Sequence, residues 1–142
     1  MAKPDSSVVA ERLHAACIRL LRSMRTADAE SGLSGPKLSA LSVLAFAGPQ
    51  SLSALARAEQ VRAPTMSKLV ADLEAEGLAA KREDKSDRRG VTITVTPKGR
   101  ALMEEGRRRR LALLHRRFAG LSASEMKTLS DAAELMLRAA VG

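Results

Sequence analysis

Aromatic side chains are almost absent from this chain of 142 residues, which contains two Phe and neither Trp nor Tyr. Proteins that bind single-stranded nucleic acid usually stack the bases on aromatic rings. The composition therefore argues against a single-strand or RNA-stacking platform. Hydrophobic residues nevertheless make up 45% of the chain, which is typical of a globular protein and too apolar for a disordered one.

Cysteine and histidine are also scarce, and Cys17, His14 and His115 are the complete set. A single cysteine cannot form an internal disulfide, and these residues are too few for a zinc cage of Cys and His ligands. The sequence contains no Ser-His-Asp set, no paired carboxylates and no phosphate-binding loop. It therefore predicts a protein that is not an enzyme and that has neither a metal site nor a cofactor.

Long apolar runs are missing as well. No run approaches the roughly 20 residues that are needed to cross a bilayer. The polar stretch Met1–Ser7 also lacks the apolar core of a signal peptide. We therefore expect a cytoplasmic protein with no membrane partner.

Acidic charge is in deficit, because 24 Lys and Arg oppose 16 Asp and Glu. The excess is local. Residues 81–117 hold 13 basic and 5 acidic side chains, and the rest of the chain holds 11 of each sign. A surface with this concentration of positive charge predicts a polyanionic partner such as nucleic acid.

What is present is a regular succession of amphipathic segments. Apolar residues recur at helical spacing in six of them. The predicted helices cover about 6–27, 36–46, a short stretch that starts at Ser51 or Ser53, 64–76, 97–119 and 123–140. Before the fifth helix the period changes, because Val91, Ile93 and Val95 alternate with threonines. With Leu78–Glu83 as the antiparallel partner, this predicts a two-stranded hairpin with a basic tip at 84–90.

This order of elements predicts a winged helix-turn-helix in a mostly α (α+β) fold. Residues 1–142 would form one domain, with a DNA-binding lobe at 34–98 and a helical dimerisation lobe at 1–31 and 99–142. The expected recognition helix, 63–76, fits the major groove of B-form DNA. The apolar stripes of the first and last helices cannot be buried in so small a lobe. We therefore expect a homodimer whose recognition helices are about 10 base pairs apart.

Several motifs occur together at fixed spacing. They are Leu73-Glu74-Ala75-Glu76-Gly77-Leu78, Lys81-Arg82, Asp87-Arg88-Arg89 and Val95-Thr96-Pro97-Lys98-Gly99, with the helix-turn-helix from Leu52 to Leu69. Over essentially its whole length the chain resembles the MarR family of transcription regulators (multiple-antibiotic-resistance regulators). The resemblance implies an obligate homodimer that binds a pseudo-palindromic operator in double-stranded DNA. It also implies that the protein usually represses, and that a small effector or oxidation releases it.

The arginines at the hairpin tip are the sharpest candidates for DNA contact. A guanidinium of Arg88 or Arg89 can enter a narrow minor groove, where the negative potential is strongest, and Asp87 can hold it by a charge-assisted bond. In the relatives an Asp-x-Arg pair does this, which implies that Asp87 and Arg89 form the pair and that Arg88 contacts phosphate. Weaker phosphate candidates on the wing are Lys81, Arg82 and Lys85. The alternative is a solvated turn with an ordinary surface ion pair.

The start of the recognition helix supplies the second group of candidates. The first turns of such a helix point at base edges and phosphates. The candidates there are Arg62, Pro64, Thr65, Ser67 and Lys68. Thr65 and Ser67 can bond either bases or phosphates, whereas Lys68 and Arg62 are expected on the DNA backbone. The alternative is that Thr65 and Ser67 merely cap the helix.

Cys17 and the arginine run leave further alternatives open. Cys17 lies eight residues before Arg25, as the reactive cysteine does in hydroperoxide-sensing MarR relatives, but the tyrosines that hold that thiolate are missing. We expect a small apolar core residue at this position, with a redox switch as the alternative. Arg107–Arg110 cover every face of a helix, so at least one of them must face the dimer body or extend past it to solvent. We expect a solvated run that pairs with Glu104 and Glu105, with a phosphate contact as the alternative.

The resemblance also places an effector in a cleft between the two lobes. Leu, Met, Ala and Arg22 would line this cleft with almost no aromatics, which favours a small or mobile effector pocket or none. A low-specificity architectural DNA-binding protein is the remaining alternative, because it needs only the basic segment. It predicts equal affinity for any duplex and a steep salt dependence.

Overall fold

The computed structural model describes residues 3–83 and 90–141, which form helices and one small antiparallel sheet. The helices are α1 (Ser6–Ala29), α2 (Gly35–Phe46), α3 (Leu52–Ala58), α4 (Ala63–Ala75), α5 (Pro97–Phe118) and α6 (Ala123–Ala140). The strands are β1 (Gln50–Ser51), β2 (Ala79–Glu83) and β3 (Val91–Val95). The predicted mostly α winged helix-turn-helix is confirmed, because α3 and α4 are followed directly by the β2–β3 hairpin.

Side-chain caps explain where several helices begin. Each of the following stands at an N-cap and accepts a hydrogen bond from a backbone N–H of the first turn: Ser34, Ser51, Thr96 and Ser122. A hydroxyl at this position satisfies an amide that the helix leaves unpaired. Glu125 completes a capping box with Ser122. The backbone N–H of Ser122, and then its hydroxyl, lower the pKa of the Glu125 carboxyl below its ordinary value.

The sheet contains one strand more than the sequence predicts. β2 and β3 pair antiparallel with Ala79 opposite Val95, and β1 pairs with the other edge of β3, with Gln50 opposite Ile93. The predicted two-stranded wing is confirmed as the β2–β3 hairpin, and β1 extends it to a three-stranded sheet in the order β1-β3-β2. β1 is only two residues long, which is too short for the alternation of apolar and polar residues that predicts a strand. Its effect is to make β3 the central strand, with Ile93 fully buried.

The buried core extends from α2 to the early turns of α5. Its members are apolar side chains of α2, α3, α4, the sheet, the loop before it and α5: Ala40, Leu41, Leu44, Leu55, Ala56, Met66, Val70, Leu73, Leu78, Ala79, Ile93 and Met103. By contrast, α1 and α6, which are described over their whole length, have no buried residue. Their apolar stripes lie at the surface of the protomer. The division into a DNA-binding lobe and a dimerisation lobe remains a prediction.

Two members of the arginine run Arg107–Arg110 connect α5 to the C-terminal end of α1. Arg109 Nε donates to the carbonyl oxygen of Ala27 over 3.2 Å, and a guanidinium nitrogen of Arg110 lies 2.5 Å from the carboxylate of Asp28. Both arginine side chains are about three-quarters buried, with exposures of 23% and 26%. Arg109 and Arg110 therefore differ from the expected solvated run, because they bind the backbone and a side chain of α1. The expected pairing with Glu105 is present, since guanidinium nitrogens of Arg108 and Arg109 lie 3.1 Å and 3.7 Å from its carboxylate.

Candidate nucleic-acid interface

The expected recognition helix, α4, has one buried and one exposed face. Met66, Val70 and Leu73 are fully buried in the core. The predicted DNA-contact residues of the first turns lie on other faces: Arg62, Pro64, Thr65 and Lys68 are exposed and Ser67 is half-buried. The apolar face thus fixes the helix to the protein, while the polar face is presented where a DNA groove can receive it.

The N-terminus of α4 is not closed by a side chain. Arg62 stands at the N-cap, and the structure shows no side-chain cap hydrogen bond there. Pro64 lies in the first turn, where its missing N–H is not needed. Thr65 and Ser67 lie inside the helix, so the alternative that they merely cap it is wrong. The partial positive charge at this helix end remains available to an anion such as a DNA phosphate.

The hairpin presents positive charge beside α4. Lys81 and Arg82 lie on β2, where both are exposed. Lys81 Nζ lies 3.4 Å from Oε1 of Glu74 in α4, and the Lys81 backbone N–H donates to the same carboxylate over 3.3 Å. This ion pair joins the hairpin to the helix, and no spacing in the sequence indicates it. The predicted tip residues that lie outside the described residues are Lys85, Asp87, Arg88 and Arg89.

A cleft with a volume of about 800 Å³ opens between α1, α2 and α5. Apolar side chains form most of its walls, and three charged side chains line it: Arg25, Asp28 and Arg110. The cleft is larger than the small pocket that the shortage of aromatics favours, and Arg25 lines it rather than Arg22. Sequence reasoning misses Asp28 and Arg110 because they meet only when α1 packs against α5.

The other candidate sites are weaker. Cys17 is half-buried on α1 and is not part of the core, which differs from the expected core residue. A redox switch at Cys17 remains an alternative hypothesis.

Within residues 3–83 and 90–141, no group of three or more His, Cys, Asp and Glu is placed to hold a metal ion. In the same part of the chain, every helix is too short or too polar to cross a membrane.

The fold and the exposed polar face of α4 define the class of protein, a winged helix-turn-helix DNA-binding protein. A family model described as the MarR family matches residues 31–90. The HTH-type transcriptional regulator Mb0904 of Mycobacterium bovis is 37% identical over 129 residues, which cover 91% of this chain and 90% of the relative. The chain therefore belongs to the MarR family. Membership makes it a transcription regulator and not an enzyme.

Solved structures share the fold. RV1404 from Mycobacterium tuberculosis superposes with a TM-score of 0.86 at 20% identity, over 98% of this chain and 97% of that one. BpsR of Bordetella bronchiseptica is 27% identical with a TM-score of 0.61, over 96% of this chain and 97% of that one. The DNA binding of BpsR is regulated by 6-hydroxynicotinic acid.

Proposed function

We propose that this chain is a homodimeric repressor that binds a pseudo-palindromic operator in double-stranded DNA and is released by a small effector. The observation that carries the proposal is the exposed polar start of α4, which is anchored from behind by the buried Met66, Val70 and Leu73. This arrangement presents polar side chains to DNA on a helix whose position the core fixes. Such rigidity favours readout of base edges, which depends on hydrogen-bond geometry.

In the proposed complex α4 lies in the major groove. Thr65 and Ser67 contact base edges or phosphates, since a hydroxyl can donate to and accept from either. Lys68 and Arg62 neutralise phosphates at the borders of the groove. Pro64 starts the helix without an N–H that would need a partner.

The hairpin then reaches the adjacent minor groove. Arg89, held by Asp87, enters the groove, and Arg88 and Lys85 contact phosphates. The exposed Arg82 on β2 supports this placement, because it adds positive charge to the described part of the hairpin. A major-groove helix and a minor-groove arginine together read a longer site than either reads alone.

Apolar surface on the protomer supports the dimer. On α1, Val9 is 40% and Leu13 is 39% exposed, and on α6, Leu129 is 38% and Met136 is 39% exposed. Exposed apolar area on this scale marks an interaction surface, because its burial contributes about 25 cal/mol per Å². Pairing α1 and α6 with those of a second copy would cover both stripes. The two-fold axis would then place two α4 helices on half-sites about 10 base pairs apart.

The cleft supports release by a small effector. Its volume of about 800 Å³ lies within the range of roughly 300–1,000 Å³ that is typical of ligand pockets. Arg25 and Arg110 outnumber Asp28, so the charge balance of the lining favours an anion. The regulation of BpsR by an organic acid also supports an anionic effector.

A fluorescence-anisotropy titration tests the DNA-binding part of the proposal. One labelled duplex is selected by the protein from a random library, and the other is a shuffled duplex of equal length and composition. Specific regulators prefer their site by about 10³-fold or more at physiological salt. Equal, salt-sensitive affinity for both duplexes would instead establish the architectural alternative. A reporter placed downstream of the selected site tests repression, which predicts that expression falls when the protein is supplied.

A further inference from the structure

The C-terminal end of α4 leaves two carbonyls for partners outside the helix. A Schellman motif forms there: Gly77 has a φ of +72°, and its N–H donates to the carbonyl of Glu74 over 2.9 Å. The N–H of Leu78 donates to the carbonyl of Leu73, also over 2.9 Å. The carbonyls of Glu76 and Gly77 are not used by these bonds, so they need other donors.

The first turn of α5 supplies those donors. Thr96 Oγ1 donates to the carbonyl of Gly77 over 2.6 Å, and Lys98 Nζ donates to the carbonyl of Glu76 over 2.8 Å. The stem of Lys98 passes beside Gly77, because a Cβ built on Gly77 would lie 3.8 Å from Lys98 Cδ. A cation at this end also opposes the negative end of the helix dipole. Lys98, which lies 22 residues after Glu76 in the sequence, therefore caps the C-terminus of α4.

The side chain of Glu76 extends the contact to α2. Its carboxylate forms an ion pair with Lys37 Nζ. The hydrogen bond from Lys37 to Glu76 raises the pKa of Lys37 above its ordinary value. Glu76 thus joins α4 to the first turns of both α2 and α5. We call the set of Lys37, Glu76, Thr96 and Lys98 the Glu76 clamp.

We propose that Lys98 is a positioning residue for DNA recognition, which holds α4 through the Glu76 clamp at the angle that base readout needs. The inference rests on the proposed function, in which α4 lies in the major groove. The buried Met66, Val70 and Leu73 hold α4 along its length, but apolar contacts have no direction and permit rocking about the buried stripe. The directed hydrogen bond from Lys98 opposes that motion at the C-terminal end of α4, in addition to the contacts of Lys81 with Glu74.

Rocking would affect the two kinds of DNA contact differently. Hydrogen bonds to base edges weaken steeply with misalignment. Contacts to phosphates are largely Coulombic, and flexible side chains can follow a small displacement. Loosening the clamp should therefore weaken binding to the operator much more than binding to an arbitrary duplex.

The test compares Lys98→Met with a charge-matched control. Lys98→Met keeps the apolar stem beside Gly77 and removes the donor. Lys127→Met removes the same charge from α6, where Lys127 pairs with Asp131 at 2.7 Å. Lys98→Arg restores a cationic donor. Each protein is titrated by anisotropy, over a series of salt concentrations, against a duplex selected by the wild type and against its shuffled counterpart.

We expect Lys98→Met to bind the selected duplex about tenfold more weakly, a loss of about 1.4 kcal/mol. Its affinity for the shuffled duplex and its salt slope should equal those of Lys127→Met, and Lys98→Arg should recover most of the loss. Parallel weakening on both duplexes, with a salt slope smaller by about one, would make Lys98 a phosphate contact and overturn the inference. Unchanged affinity for the selected duplex would overturn it as well.

A second measurement needs no DNA. Amide hydrogen exchange at Gly77 and Leu78 should accelerate in Lys98→Met and not in Lys127→Met, because the end of α4 then opens more often. Unchanged exchange, in a protein that still prefers its selected duplex, overturns the inference alone. A wild type that prefers no duplex overturns the proposed function, and the inference with it, so the two failures are distinguishable.

Discussion

Gly99, in the first turn of α5, packs directly against the carbonyl oxygen of Leu78, which follows α4. A Cβ at Gly99 would lie 2.2 Å from that oxygen and 2.9 Å from Cγ2 of Val95. Only a residue without a side chain permits this approach. The contact brings α5 close enough for the Glu76 clamp to form, so the glycine is a requirement of the fold and of the placement of α4.

Replacing Gly99 by Ala should therefore lower the free energy of unfolding by about 3 kcal/mol, because the methyl group meets backbone that cannot turn away. Gly35→Ala is the matched control, since Gly35 begins α2 and a Cβ added there would meet no described atom within 4 Å. That variant should be neutral or more stable by about 0.5 kcal/mol. Urea denaturation measures both, and equal stability of the two variants would contradict the close packing.

Gln60, in the turn between α3 and α4, is the described non-glycine residue with a positive φ, which is 55°. The left-handed region is unfavourable for a residue with a Cβ by about 1 kcal/mol. Gln60→Gly should thus stabilise the protein by about 0.5 kcal/mol after the entropy of the unfolded glycine is subtracted. Glu59→Gly, at a φ of −89°, should destabilise it instead. Thermal unfolding gives the midpoint temperature of each variant. A shift of both midpoints in the same direction would contradict the prediction.

Much of this structure follows from local signals in the sequence. Thr96 and Ser122 mark helix starts as caps, and Gly77 marks a helix end through its positive φ. Contacts between distant segments could not be predicted, because only packing creates them. The ion pair of Arg110 with Asp28 joins residues 82 apart, and that of Lys37 with Glu76 joins residues 39 apart.

The arginine run tests how much such a distant contact contributes. Arg110→Met should destabilise the protein by about 1–2 kcal/mol, because it leaves a partly buried Asp28 without its partner. Arg108→Met should cost about 0–0.5 kcal/mol, since the Arg108 side chain is 74% exposed in its pair with Glu105. A double-mutant cycle with Asp28→Asn isolates the coupling energy of the partly buried pair. Equal effects of the two arginine variants would contradict a stabilising role for the contact between Arg110 and Asp28.

The proposed dimer depends on the apolar stripe of α6. Leu137→Asp should shift the protein from dimer to monomer, because it places a charge on a side chain that is 64% exposed in the protomer and buried in the proposed interface. Arg138→Asp places the same acid beside Glu134 and Asp131, on the polar side of α6, and should leave the dimer intact. Light scattering after size exclusion gives the mass of each. A wild type that elutes with the mass of one chain would exclude this interface.

The predicted tip arginines should differ in what they contribute to DNA binding. Arg89→Ala should weaken binding to the selected duplex by about 1–3 kcal/mol, because it removes a desolvated minor-groove contact that depends on groove shape. Arg88→Ala should weaken binding to selected and shuffled duplexes alike and reduce the salt slope by about one, as the loss of a phosphate contact does. Lys127→Ala removes one positive charge from α6 and serves as the control for net charge. If Arg89→Ala behaves like Lys127→Ala on both duplexes, the minor-groove role of Arg89 is wrong, and α4 alone reads the DNA sequence.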